Sequence, residues 1–365
     1  MKKSLILHIG MGKTGTTALQ VFFSENRRAL EKNGISYPKF GEVSGAHHLL
    51  SPHVPPFLQG VWEFKSVEEW APKLEKTSAE KILVSSELIA WTNDNLVREF
   101  CASIQKWFEV TVVIYLRRQD NIIMASYNQQ LKAGSQKRSI IDIHQNLVPK
   151  FNYESILRPW EETVGAHNII VRPYEKKQLF SRDIRRDFMR NVLDIEGGES
   201  FVFSNRNPNA SLSKKAGEYK RLINNIVEDK KKNQRFTELL SGFSRIIKPT
   251  QDEVYVNESL LPPNIRLEII QSNDELNNRV AEKYLGPATR KLFLDPLPDP
   301  KEAWTGNELS QAEATFVSEY LIDNNPKLML WLDNELGEYR ENGNKLQQYA
   351  SLLLASTMRG RSASS

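Results

Sequence analysis

The chain of 365 residues carries 49 Lys and Arg against 45 Asp and Glu, and 40% of it is hydrophobic. That length supports a large buried core, as one big α/β domain or a core with helical additions. The well-mixed net charge of +4 is not by itself a sign of nucleic-acid or membrane binding. The single cysteine, Cys101, excludes an intramolecular disulfide and a thiolate-rich zinc site, fits a reducing compartment, and is expected to be a buried apolar filler.

Leu5 to Ile9, the only apolar stretch before Gly10, is too short for the hydrophobic region of a signal peptide. No later run reaches the roughly 18 apolar residues that a membrane span needs. The expected location is therefore the cytoplasm. Leu5 to Ile9 reads as a strand, Gly10 to Thr17 as a glycine loop, and Leu19, Phe22, Phe23 and Leu30 follow helical spacing up to Asn33-Gly34. Ile82 to Val84, Val110 to Leu116 and Ile169 to Val171 are further β-branched runs separated by helical or loop-like sequence, which predicts a parallel sheet covered by helices.

After Pro173 the pattern predicts helices near Gln178 to Leu193, Ser211 to Asp229 and Pro263 to Leu285. The charged run Glu228 to Lys232 reads as a solvated helix end, and Gly360 to Ser365 as a fraying end. The expected fold is a three-layer α/β/α domain with a central parallel sheet of about five strands. Residues 1–195 form its core, residues 196–350 a helical part completing the same domain, and residues 351–365 a flexible tail.

A strand that runs through a glycine turn into a helix aims backbone N–H groups and the positive helix end at one point, which suits a phosphate. Gly10, Gly12 and Gly15 permit the turn, Lys13 adds a point charge, and Thr14, Thr16 and Thr17 add hydroxyl donors. In the nucleoside triphosphatase loop a further glycine lies five positions before the Gly of Gly-Lys-Thr, and here that position is Leu7. With no apolar strand ending in a lone Asp to hold magnesium, a metal-dependent ATPase is disfavoured. A second anion site is expected where the strand Val110 to Leu116 ends in Arg117-Arg118, because an arginine there and Ser126 in the following helix can converge on one phosphate.

Lys13-Thr14-Gly15-Thr16-Thr17 resembles the loop that grips the 5′-phosphosulfate of 3′-phosphoadenosine 5′-phosphosulfate (PAPS) in PAPS-dependent sulfotransferases, whose fold is of the P-loop type. The resemblance implies a 3′-phosphate site made by an Arg after a strand and a Ser eight positions later. Arg118 and Ser126 have that spacing, with Arg117 the alternative at nine. It also implies a catalytic base after the strand ending Val84-Ser85-Ser86, where Glu87 is the first choice and His48 and His47 the second. The other reading of Glu87 is a carboxylate at a helix start, that of the histidine pair is loop packing, and His8 reads as a core residue. Lys13 would steady charge on the leaving phosphate oxygen, so Lys13, Glu87, His48 and His47 are the catalytic candidates.

Tyr174, in Arg172-Pro173-Tyr174-Glu175, resembles the family's tyrosine near the nucleotide. Asn209 to Leu212, Ser272-Asn273 and Ala281 to Leu285 look like C-terminal landmarks of bacterial sulfotransferase-like proteins, while the late Arg-Lys-Gly segment of the animal enzymes has no counterpart. The implied activity is transfer of a sulfuryl group from PAPS, without a metal, to a hydroxyl or amine of a carbohydrate or small metabolite. Neither nucleic acid nor an integral membrane span enters this reading. A P-loop small-molecule kinase and a non-catalytic nucleotide-binding module are the alternatives.

Overall fold

The computed structural model describes residues 2–197, 200–204, 211–247 and 259–358. Five strands form one parallel sheet: β1 (Lys3–His8), β2 (Ile35–Ser36), β3 (Lys81–Ser85), β4 (Phe108–Leu116) and β5 (Ile169–Pro173), in the order β2-β3-β1-β4-β5. Both faces of the central strands are covered, which is why their sequences are continuous apolar runs rather than alternating ones. On one face Ile6 and Tyr115 pack with Leu19, Phe22 and Phe23 of helix α1 (Thr16–Glu25) and with Phe188 of the helix Ile184–Asn191. On the other, Trp70 of the helix Val67–Glu75 stacks on Phe108, with ring centroids 6.3 Å apart. The result is the expected three-layer α/β/α arrangement.

β1 lies at the centre, Leu7 opposite Val84 of β3 and Val112 of β4. From β1 the chain leads outward to β2 and returns to β3, then crosses β1 to reach β4 and β5 on the other side. The order reverses at β1, and in open parallel sheets the crevice beyond the carboxyl ends at such a point is where ligands bind.

Several boundaries differ from expectation. β2, two residues long, carries no periodic pattern. The helix after the glycine loop divides at Asn26, whose side chain donates to Phe22 O at 2.8 Å and pairs with the backbone of Val202. The segment from Gln178 begins its helix only at Ile184, after Ser181 and Arg182 adopt left-handed φ of 52° and 58°. The tail expected from residue 351 is instead the helix Lys345–Met358, with Ser351 and Leu354 buried. Asn209, Ala210 and Gly360 to Ser365 lie outside the described residues.

Two compact units interleave along the chain. The first comprises Met1–Ile122, Pro149–Arg206 and Ile270–Leu297, and the second Ile123–Val148, Asn207–Ile269 and Pro298–Ser365. The first holds the sheet. The second is helical, with a core that includes Tyr219, Phe236, Phe243, Leu321, Leu332 and Leu354. Among the described residues no helix is long and apolar enough to cross a membrane.

The second unit buries Lys220 completely, its Nζ donating to the neutral side-chain oxygens of Asn224 and, at 2.6 Å, Asn233. Burial pushes this amine down from its ordinary 10.5 to about 7. The cost of burying the charged form is therefore present in full below about pH 7 and is relieved as pH rises towards the unfolded-state value. Urea midpoints measured from about pH 7 to about pH 10 are expected to rise in the wild type. A Lys220→Met variant should lack that component, whose slope is at most about 1.4 kcal/mol per pH unit.

Candidate functional site

The residues from Gly10 to Thr17 leave β1 and turn into α1 through three left-handed positions, Gly10 (φ 45°), Lys13 (φ 72°) and Gly15 (φ 79°). For Lys13 this conformation is unfavourable and is held by its surroundings. Thr14 closes the turn, its N–H and its Oγ1–H both donating to Met11 O, at 3.3 and 2.6 Å. Gly15, at the N-cap, supplies no side-chain oxygen, and the first turn of α1 contains no acidic residue, so α1 itself places no carboxylate at its positive end. A Cβ on Gly15 would lie 2.9 Å from Ile184 Cδ1 and 3.0 Å from the Tyr174 ring, whereas one on Gly12 would meet nothing within 4 Å. The cradle is closed by protein at Gly15 and open at Gly12.

The threonines divide by burial. Thr14 is fully buried, with its hydroxyl engaged inside the turn, and is therefore a loop brace rather than a contact for an anion. Thr16 is also buried, its methyl 2.7 Å from where a Gly10 Cβ would sit, while Thr17 is half-buried. Lys13 is half-buried on the open side of the sequence between Gly12 and Gly15.

At the end of β4 the two arginines part. Arg118 is 4% exposed and its fork is engaged at all three nitrogens: Nε and Nη2 donate to the Asp120 carboxylate at 2.8 and 3.1 Å, and Nη1 to the carbonyls of Asp295 and Pro296 at 2.9 and 3.0 Å. Glu175 secures the same segment, accepting from the N–H groups of Leu294 (2.6 Å) and Asp295 (3.2 Å). Arg118 is thus a structural tie between the end of β4 and the segment at Asp295. Arg117 takes the loop side, donating to Lys13 O at 3.0 Å with its guanidinium 5.8 Å from the Tyr174 ring centroid. Tyr174 in turn donates its N–H to Leu116 O at 2.6 Å, which fixes the ring between Arg117 and Gly15. Ser126, half-buried on the helix Gln119–Lys132, belongs to the second unit.

β3 brings the base candidates to the same sheet edge, because Ser86 N–H donates to His8 O at 3.1 Å. Glu87 is partly exposed, with Oε2 accepting from Gln20 Nε2 of α1 at 2.7 Å and Oε1 3.9 Å from His48 Nε2. That gap is too long for a hydrogen bond, yet a single oxygen beside it reaches both atoms. His48 is fixed by Ser86 Oγ at 2.9 Å from Nδ1 and by a parallel Trp62 ring, with centroids 5.6 Å apart. Burial lowers its pKa below the ordinary 6.5 while the Glu87 carboxylate pulls the other way, so the imidazole is neutral at pH 7 and able to take a proton.

His47 is excluded from that role. It is fully buried, its Nε2 donates to Pro38 O at 2.7 Å, its Nδ1 accepts from Ser85 N–H at 3.1 Å, and burial pushes it down to about 4. His8 is a core residue as expected, lying edge-on to Phe188 with Nδ1 2.8 Å from Ser85 Oγ. Gln20 and Trp62 had no place in the sequence reading. Gln20 lies one helical turn beyond Thr16, and that i, i+4 relation was the available signal.

The division between the arginines is measurable. Arg118→Met removes the buried ion pair with Asp120 together with the ties to Asp295 and Pro296 and should cost about 3–5 kcal/mol in urea unfolding, whereas Arg117→Met should change stability by no more than about 1 kcal/mol. No protein-family model matches the chain, and neither the curated proteins nor the solved structures contain a significant match, so the chemistry of this strand edge carries the functional reading.

Proposed function

We propose that the chain is a PAPS-dependent sulfotransferase. The observation that supports this best is the hydrogen bond from Gln20 to Glu87, which ties a proton acceptor to the helix that opens the anion cradle. An anion-binding module has no need of a base at that position; a group transfer to a hydroxyl does.

In this reading the donor's phosphosulfate lies at the start of α1, where the loop amides, Lys13 and Arg117 meet its charge. An acceptor oxygen between Glu87 Oε1 and His48 Nε2 loses its proton to the pair as it attacks sulfur in line. The new bond is O–S, the bond broken joins sulfur to the bridging phosphate oxygen, and the electron pair leaves with 3′-phosphoadenosine 5′-phosphate (PAP), where Lys13 steadies the charge. The products are the sulfated acceptor, PAP and one proton. Tyr174, whose ring lies against Gly15, borders the nucleotide. The acceptor is a hydroxyl or amine of a carbohydrate or small metabolite, and the reaction is placed in the cytoplasm.

One observation favours a second reading: Glu87 stands two residues past the end of β3, the strand beside the loop strand, where a carboxylate could hold magnesium for a small-molecule kinase. Calorimetry separates the two. PAP should bind without magnesium, and Arg117→Ala should weaken it about tenfold or more, the equivalent of one charge-assisted hydrogen bond. Tight binding of magnesium-ATP with no binding of PAP overturns the sulfotransferase proposal. With labelled PAPS and a panel of glycans and metabolites, Glu87→Gln should lower turnover about 10²-fold or more while PAP affinity stays unchanged.

A further inference from the structure

Gln20 is 4% exposed, sits one turn into α1 and reaches two groups on the β3 end: Glu87 Oε2 at 2.7 Å and Ser85 Oγ at 3.4 Å. A carboxylate can only accept, so the amide must present its NH₂ to Glu87. Ser85 Oγ, 2.8 Å from His8 Nδ1, anchors the other side of that NH₂ group within the sheet. The charged and titratable groups around Glu87 come from few elements. His48 stands across the gap, and Tyr37, whose hydroxyl donates to Gly45 O at 2.6 Å, feels its charge.

We propose that Gln20 is the positioning residue for Glu87, a role that rests on the sulfotransferase reading. Its N–H holds Oε2 against α1, so that Oε1 is the oxygen turned to the acceptor beside His48. Because the amide rides on the helix that starts at the anion cradle, donor site and base move as one body. The acceptor oxygen therefore meets the base at a fixed offset from the sulfur.

The test uses the full chain with Gln20→Met, which keeps length and removes the donor, and Gln20→Glu, which keeps shape and replaces the donor by a second carboxylate. In Gln20→Met, kcat should fall about tenfold to a hundredfold with PAP affinity unchanged within about twofold. The acidic limb of the kcat profile should move to higher pH, because the Glu87 carboxylate loses a stabilising donor. Gln20→Glu should move it further, since two carboxylates at this distance share one proton. Carbon-13 NMR titration of the Glu87 carboxyl in the same variants reads the shift without any turnover. An unchanged Glu87 titration in both variants, or a loss of PAP binding in parallel with turnover, overturns the positioning role. If wild-type protein fails to bind PAP, the sulfotransferase reading falls, while the NMR titration still decides whether Gln20 governs Glu87.

Discussion

Everything proposed for this protein depends on β1 being clamped in parallel register between β3 and β4. His8 stands opposite Ser85 on one side and Val113 on the other. The first residues past β1 therefore emerge beside the first residues past β3, and the ladder continues one step further through Ser86 N–H to His8 O and Ile9 N–H to Val113 O. A parallel sheet leaves all its carboxyl ends on one edge, so loop, base and arginine converge there although the base and the arginine lie some 70 and 100 positions of sequence beyond the loop. A slip of one residue would turn Ile6 and Leu7 to opposite faces, and the apolar packing on both sides forbids it.

The edge itself is built from groups that are costly to hold. Lys13 is left-handed, the start of α1 has neither side-chain cap nor acidic residue, and Arg118 with Asp120 is an ion pair almost without solvent. Each of these is met by a neighbour: Arg117 on the Lys13 carbonyl, Thr14 on Met11, and the carbonyls of Asp295 and Pro296 on Arg118. The positive field at the helix start, to which α1 contributes no carboxylate, is the part a bound anion would neutralise.

The sheet, the glycine loop and some of the helices were legible because each is a local pattern: a β-branched run, a turn of glycines, a helical stripe. The helix Pro263–Leu285 was readable to the residue. β2 and the interleaving of two units were not, since a two-residue strand has no period and unit membership depends on contacts far apart in sequence. The role of His47 was equally hidden. Its partners, Pro38 and Ser85, come from two other segments, and nothing in the dipeptide His47-His48 says which ring lies inside. His48 differs only in meeting Trp62 and Ser86 at the rim.

The two arginines are the instructive case, because the deciding rule was available. Successive residues of an extended strand point to opposite faces, and continued past the end of β4 at Leu116 that alternation would set Arg117 on the face of Tyr115 and Arg118 on the other. Tyr115 packs with Phe188 and edge-on to His8, on the face that carries α1. A side chain two positions later on that face is directed at the start of α1, which is where Arg117 meets Lys13 and Tyr174. The eight-residue spacing favoured Arg118, but Asp120 stands two positions beyond it, and a buried guanidinium with a carboxylate that close will pair locally. Strand alternation is a stronger constraint than spacing within a motif, because it is imposed by the backbone rather than by the ligand.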